Sequence, residues 1–145
     1  MSPPSEDFYA LTFMNKIEHI GIAVKEIKAA NETYSKLFNQ DPYKMEVVTS
    51  EAVTTSFFQI GESKIELLEG NSPESAITKY IEKRGEGVHH IAYAVQDIEQ
   101  ERDRLIKEGF QAIGEIKPGA DNKLVCFFHP KSANGVLVEL CQERS

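Results

Sequence analysis

The chain has 145 residues, enough for one domain with a substantial core or for two similar halves that share one. With 16 basic and 23 acidic residues the formal charge is −7, which opposes unassisted binding to phosphate backbones or anionic membranes, so neither nucleic acid nor membrane is an expected partner. Cys126 and Cys141 form no C-x-x-C pair and follow no secretory signal; a disulfide framework is not expected, and a reducing, cytoplasmic compartment is. In a eukaryote the mitochondrial matrix would take its place, although no presequence is visible.

Residues 1–13, MSPPSEDFYALTF, are rich in Ser, Pro and acid and read as a flexible extension, with Met14 opening the regular pattern and available as an alternative start. Ile17 to Val24 alternates and is β-branched, which predicts a strand; KEIKAANETYSKLF then places Ile27, Ala30, Tyr34, Leu37 and Phe38 on one helical face. Three short β-rich runs follow, YKMEVVTS, VTTSFFQI and SKIELLE, the last two separated by a turn at Gly61. The unit is βαβββ. A connector helix comes next, with Ser72 as N-cap and Pro73 at its first position, ending before RGEG. The order then recurs: a strand at 88–95, a helix at 97–108 stopped by Gly109, and strands near 111–116, 123–128 and 135–142, with KPGADN as a loop. Residues 14–145 therefore read as one α+β domain whose modules, 16–70 and 87–142, are joined by the connector helix.

The recurrence extends to the residues themselves. IEHIGIAVKEI (17–27) matches VHHIAYAVQDI (88–98) at a constant offset of 71. SFFQIGESKIELLE (56–69) resembles CFFHPKSANGVLVEL (126–140), the offset drifting from 70 at the paired phenylalanines to 73 at the glutamates, as one loop insertion would give. Strand alternation puts His19, Gly21 and Ala23 on one face against Ile20, Ile22 and Val24, and it repeats with His90, Ala92 and Ala94 against Ile91, Tyr93 and Val95. The large residues can pack beneath a helix while the small ones leave space beside each histidine. His90 aligns with His19, whereas His89 aligns with Glu18 and is expected to face the other way.

Glu66 in KIELL and Glu139 in VLVEL sit in mid-strand among apolar neighbours, where an unpaired buried carboxylate is costly. Taken singly, a strand-end histidine or a glutamate facing solvent from a one-sided sheet is the ordinary explanation; the duplication of both shifts the balance. If the copies pair about a pseudo-twofold, His19, His90, Glu66 and Glu139 converge. Two imidazoles and two carboxylates suit a divalent metal, admit manganese, cobalt, nickel, iron(II) or zinc, and leave positions open for chemistry. A structural zinc site would more often use thiolates.

On IEHIGIAV, GESKIELLEG, the following SPES and connector helix, GEGVHHIAYAV and above all FFHPKSANGVLVELCQ, the chain resembles the methylmalonyl-CoA epimerase family of the vicinal oxygen chelate superfamily, from about Met14 to Cys141. The resemblance implies two tandem βαβββ modules forming a metal-binding cup, with His19, Glu66, His90 and Glu139 as ligands. It implies a divalent metal, cobalt ahead of manganese, nickel or zinc, an acyl-CoA substrate and a homodimer. The implied reaction interconverts the two epimers of methylmalonyl-CoA by removing and returning the proton at carbon 2 through a metal-stabilised enolate. Glu139 is the implied acid/base as well as a ligand. The second catalytic glutamate of bacterial relatives falls near Thr55 here, and Glu51, the nearest carboxylate, is the second candidate. Lys131 and Ser132 in HPKS are candidate substrate contacts, with a plain hairpin loop as the alternative, and Lys117, Lys123 and Lys131 form a candidate basic patch. A glyoxalase I type lactoylglutathione lyase would share the fold and ligands, and a non-enzymatic binding protein of the same fold would need none of the four polar residues. An extradiol dioxygenase would want an iron(II) site of two histidines and one carboxylate.

Overall fold

The computed structural model describes residues 14–144, so the expected extension at 1–13 lies outside the described residues. Strand β1 (Met14–Ala23) leads into helix α1 (Ile27–Phe38) and then β2 (Lys44–Val48), β3 (Val53–Ile60) and β4 (Ser63–Gly70). Helix α2 (Ala76–Arg84) crosses to β5 (Gly87–Val95), α3 (Ile98–Lys107), β6 (Ala112–Pro118), β7 (Lys123–Phe128) and β8 (Leu137–Glu143). Each half is βαβββ, with short 3₁₀ turns at Thr49–Glu51 and Pro130–Ala133.

The strands make one curled, eight-stranded sheet in the order β2-β3-β4-β1-β5-β8-β7-β6. Read from either edge, each half runs second, third, fourth, first, so the two histidine strands meet in the middle. They pair antiparallel, while β1 with β4 and β5 with β8 are parallel. This is an α+β fold with a pseudo-twofold through the β1–β5 seam.

The paired phenylalanines show how the sequence divides the sheet into two faces. Phe58 is fully buried with Val24, Ile27 and Leu67 beneath α1, and Phe128 is fully buried with Leu105, Ile98 and Leu140 beneath α3. Burial of such a side chain contributes about 1.5–3 kcal/mol. Phe57 and Phe127, one residue earlier on strands that alternate, point to the opposite, concave face. On α1 the expected stripe of Ile27, Ala30, Tyr34 and Phe38 packs on the sheet, but Leu37 is 66% exposed. It lies at the margin of the stripe, where the 100° step of the helix carries it past the sheet.

Helix ends follow local chemistry. Asn39 closes α1 in the left-handed region at φ 53°, and the Asp97 side chain accepts from the Gln100 amide to start α3. The connector helix begins later than expected. Ser75, not Ser72, is its N-cap, accepting from the Ile77 amide at 3.3 Å. Ser72 and Pro73 instead enter a turn closed by the Ser75 amide on the Ser72 carbonyl, so the proline stands before the helix. Cys126 and Cys141 are buried free thiols. Among the described residues no helix is long and apolar enough to cross a membrane.

Candidate active site

Register explains why four distant residues meet. Across the seam His19 lies opposite Ala92 and His90 opposite Gly21. Gly21 is also the neighbour of Glu66 on β4, and Ala92 of Glu139 on β8. One row therefore reads Glu66, Gly21, His90 and its pseudo-symmetric counterpart Glu139, Ala92, His19, all directed into the concavity. The expected space beside the histidines exists, but each small residue serves the histidine of the other half. A β-carbon at Gly21 would stand 2.1 Å from His90 Cε1 and 2.5 Å from both ring nitrogens. Only glycine leaves that ring its place.

His19 Nε2 is 3.1 Å from His90 Nε2, 3.2 Å from Glu66 Oε1 and 3.5 Å from Glu139 Oε1. His90 Nε2 is 3.1 Å from Glu139 Oε1 and 3.6 Å from Glu66 Oε1. All four side chains are buried, and the imidazole rings stand at 85° to one another. Burial alone would drive each imidazole toward neutrality, but Glu139, followed by Glu18 and Glu66 at His19 and by Glu66 at His90, holds both above the usual histidine range. Reciprocally, Glu66 and Glu139 are held below the carboxylate range by His19 and His90, against the cost of burial. Two carboxylates and two inward Nε2 atoms thus create a strong demand for positive charge at their centre.

Those donors fit a divalent cation. Ligands on a metal with bonds of about 2.0–2.2 Å stand roughly 3–3.5 Å apart, the spacing seen here. His19, Glu66 and His90 lie within 4.8 Å of one another by their ligand atoms, and Glu139 touches both histidines. Glu18, His19 and Cys141 also cluster, and there burial, reinforced by the Glu139 charge, pushes the Cys141 thiol up.

Behind the four residues the structure departs from simple alternation. Pairing of β1 with β5 slips at Glu18 and again at His89, each left over as the extra residue of a β-bulge. His89 therefore does not face away as expected: its Nδ1 is 2.9 Å from His90 Nδ1, and it lines the same cavity. Burial, aided by the charge of His90, brings the His89 pKa down to about 4. Glu18 Oε1 reaches His19 Nδ1 at 3.3 Å and accepts from Lys64 Nζ, also at 3.3 Å. Burial opposes its ionisation, but the hydrogen bond from His19 and the Lys64 charge hold its carboxyl below the usual range. Lys64 Nζ also donates to Asp121 Oδ2 at 2.9 Å, and Asp121 receives Lys44 at 3.2 Å and the Tyr43 hydroxyl at 3.3 Å. This network, missed from sequence, ties the 119–122 loop to the opposite half.

The site opens into a cavity of about 350 Å³ walled by Val53, Phe57, Leu68, Val125, Phe127 and Leu137. Helix α2 borders it with Ile77. Glu51 reaches the cavity and is ion-paired with Lys117, whose ammonium sits 5.6 Å from the centre of the Phe127 ring. Lys123 also lines the wall and pairs with Glu143 at 3.1 Å. Thr55 presents a buried side chain to the same space. Lys131 and Ser132 do not border the cavity. They lie in the 3₁₀ turn, where Ser132 Oγ accepts from the Gln111 amide and the Lys131 amide donates to His129 Nδ1. Of the expected lysine patch, Lys117 and Lys123 face the cavity and Lys131 does not.

Residues 18–127 match the profile of the Glyoxalase/Bleomycin resistance protein/Dioxygenase superfamily. An ethylmalonyl-CoA/methylmalonyl-CoA epimerase of Cereibacter sphaeroides is 37% identical over 132 residues, covering 89% of this chain and 98% of its own. A hypothetical protein from Bacillus halodurans of known crystal structure is 46% identical, superposes with a TM-score of 0.86 and covers 90% of this chain and 95% of its own. A Streptomyces coelicolor methylmalonyl-CoA epimerase solved with 2-nitronate-propionyl-CoA is 31% identical, with a TM-score of 0.87 over 91% of this chain and 96% of its own.

Proposed function

The chain belongs to the Glyoxalase/Bleomycin resistance protein/Dioxygenase superfamily, and on that premise we propose that it is a metal-dependent epimerase inverting carbon 2 of methylmalonyl-CoA. The observation that carries the reading is the meeting of His19, His90, Glu66 and Glu139 at the floor of an apolar cavity large enough for a small acyl group and its thioester. These four residues would hold a divalent ion, with cobalt the ion assigned by resemblance and manganese, nickel or zinc compatible with the same donors. A divalent ion there supplies electrostatic stabilisation of the negative charge that develops as the carbon-2 proton leaves.

The rest falls to the chain. The proton lies between a thioester and a carboxylate, so a positioned carboxylate is a sufficient base. Glu139 offers one on the cavity surface, oriented by His90 at 3.1 Å. Inversion requires return of a proton on the opposite side of the carbon. Glu51 is the assigned partner, and its ion pair with Lys117 has to open for it to act. The walls of Phe57, Leu68, Val125 and Phe127 exclude water from the reacting centre, which strengthens the polar contacts within it.

The test is exchange of the carbon-2 proton of methylmalonyl-CoA with deuterated solvent, run with and without chelator. Exchange that needs metal is the expected result. A metal-loaded protein inactive on methylmalonyl-CoA but active on the glutathione thiohemiacetal of methylglyoxal would overturn the reading in favour of the lyase.

A further inference from the structure

Glu18 and His89 hold equivalent places, each directly before a cavity histidine and each the extra residue of a bulge in the β1–β5 pairing. A regular strand would turn both to the far face; a bulge re-aims the side chain beside it. Both histidines direct Nε2 to the centre, where the two nitrogens are 3.1 Å apart, and this leaves Nδ1 on the outer side of each ring. A neutral imidazole that offers a lone pair at Nε2 carries its hydrogen on Nδ1, and a buried N–H needs an acceptor. Glu18 Oε1 is that acceptor for His19, at 3.3 Å, and His89 Nδ1 is that acceptor for His90, at 2.9 Å.

We infer that Glu18 and His89 are paired positioning residues that fix the tautomer and ring plane of His19 and His90, and so set the affinity of the centre for a divalent metal. This rests on the metal-dependent reading above. Each is held from behind by a different device. Glu18 is tied through Lys64 to Asp121, while the His89 ring packs edge-on against Tyr80 at 4.8 Å, and the Tyr80 hydroxyl donates to the Val88 carbonyl at 2.8 Å. The symmetry of the repeat is thereby kept in geometry and broken in chemistry, a carboxylate behind one histidine and an imidazole behind the other. Hydrogen bonds to an ionised acceptor are roughly twice as strong as neutral ones, so loss of Glu18 has the larger effect.

The experiment measures the affinity of the full chain for Co²⁺ and Zn²⁺ by competition with a chromophoric chelator. Glu18→Ala and His89→Ala are expected to lose about 10–100-fold, as removal of an outer partner typically does. Glu18→Gln and His89→Asn each restore an acceptor and are expected to recover most of it. Alanine variants with undiminished affinity would overturn the inference, and so would rescue variants as weak as alanine while equally well folded. Imidazole ¹⁵N spectra of the Zn²⁺-loaded wild type add a reading that needs no variant. Hydrogen on Nδ1 of both His19 and His90 is expected, and hydrogen on Nε2 of either would refute the assignment. A wild type that takes up neither ion would sink the metal-dependent reading, whereas a wild type that binds both ions, with alanine variants that bind them equally well, would sink this one alone.

Discussion

Replacing Gly21 by alanine tests the seam on which the site depends. The added β-carbon would meet His90 Cε1 at 2.1 Å, where ordinary contact begins at 3.4 Å, so the ring or the β1–β5 backbone must yield by over about 1 Å. Gly21 is not among the glycines with positive φ, so the cost is purely steric. Overpacking of this kind costs about 1–3 kcal/mol, which for a chain of this size lowers the melting temperature by several degrees. The functional loss should be larger. Nε2 of His90 is 3.1 Å from both His19 Nε2 and Glu139 Oε1, and a displacement of ~1 Å removes the ring from both. A misplacement of that size is worth about 10²-fold in rate. Thermal unfolding, chelator competition for Co²⁺ and deuterium exchange on one preparation read the three effects. Ala92→Gly, at the equivalent place beside His19, adds no atom but removes a fully buried methyl packed with Val125 and Cys141, and is expected to cost about 1–2 kcal/mol of stability while leaving the ring positions and metal affinity intact. A Gly21→Ala protein with native metal affinity and full exchange activity would refute the packing argument.

Further outcomes follow from the same geometry. His90→Ala is expected to abolish metal uptake and exchange while keeping the far-ultraviolet dichroism of the wild type; retained metal affinity would contradict the ligand set. Glu139→Gln keeps an oxygen donor but removes the proton acceptor, so exchange should fall about 10²–10⁴-fold, with metal affinity, followed by chelator competition, much less affected. For Asp121, burial opposes ionisation, but the Lys64 and Lys44 ammonium groups hold its carboxyl below the usual value of 3.8. A depressed pKa contributes stability above the unfolded value that is lost as pH falls through the folded one. Asp121→Asn should therefore be less stable than wild type at pH 6 by about 1 kcal/mol, with the two curves converging below pH 4 in urea titrations. Convergence at high rather than low pH would show that the sign is wrong.

Much of the site was legible because the chain states it twice. His19 and His90 stand out from other strand-end histidines only through their shared offset of 71, and Glu66 and Glu139 become a pair only when the last strands are laid together. The paired phenylalanines marked β3 and β7 for the same reason, and the fold then shows that Phe58 and Phe128 face the core while Phe57 and Phe127 face the cavity. Where a local signal competed with another, it was less reliable. Ser72 followed by Pro73 is as good a helix start as Ser75, and only the turn closed on Ser72 decides between them.

What the sequence determined by itself was therefore whatever depends on near neighbours or on repetition: strands and helices, the βαβββ order and the four inward polar residues. What tertiary structure alone decided depends on how separate strands meet. A bulge is a property of two paired strands, so no reading of VHHIAYAV in isolation could turn His89 back toward His90, or Glu18 toward His19. The reach of Asp121 to Lys64, 57 residues away, and of Lys117 to Glu51 exists only once the sheet curls and brings its two edges to one cavity. The same curl leaves Lys131 and Ser132 off the cavity wall, since the turn that carries them is fixed by its own hydrogen bonds to Gln111 and His129.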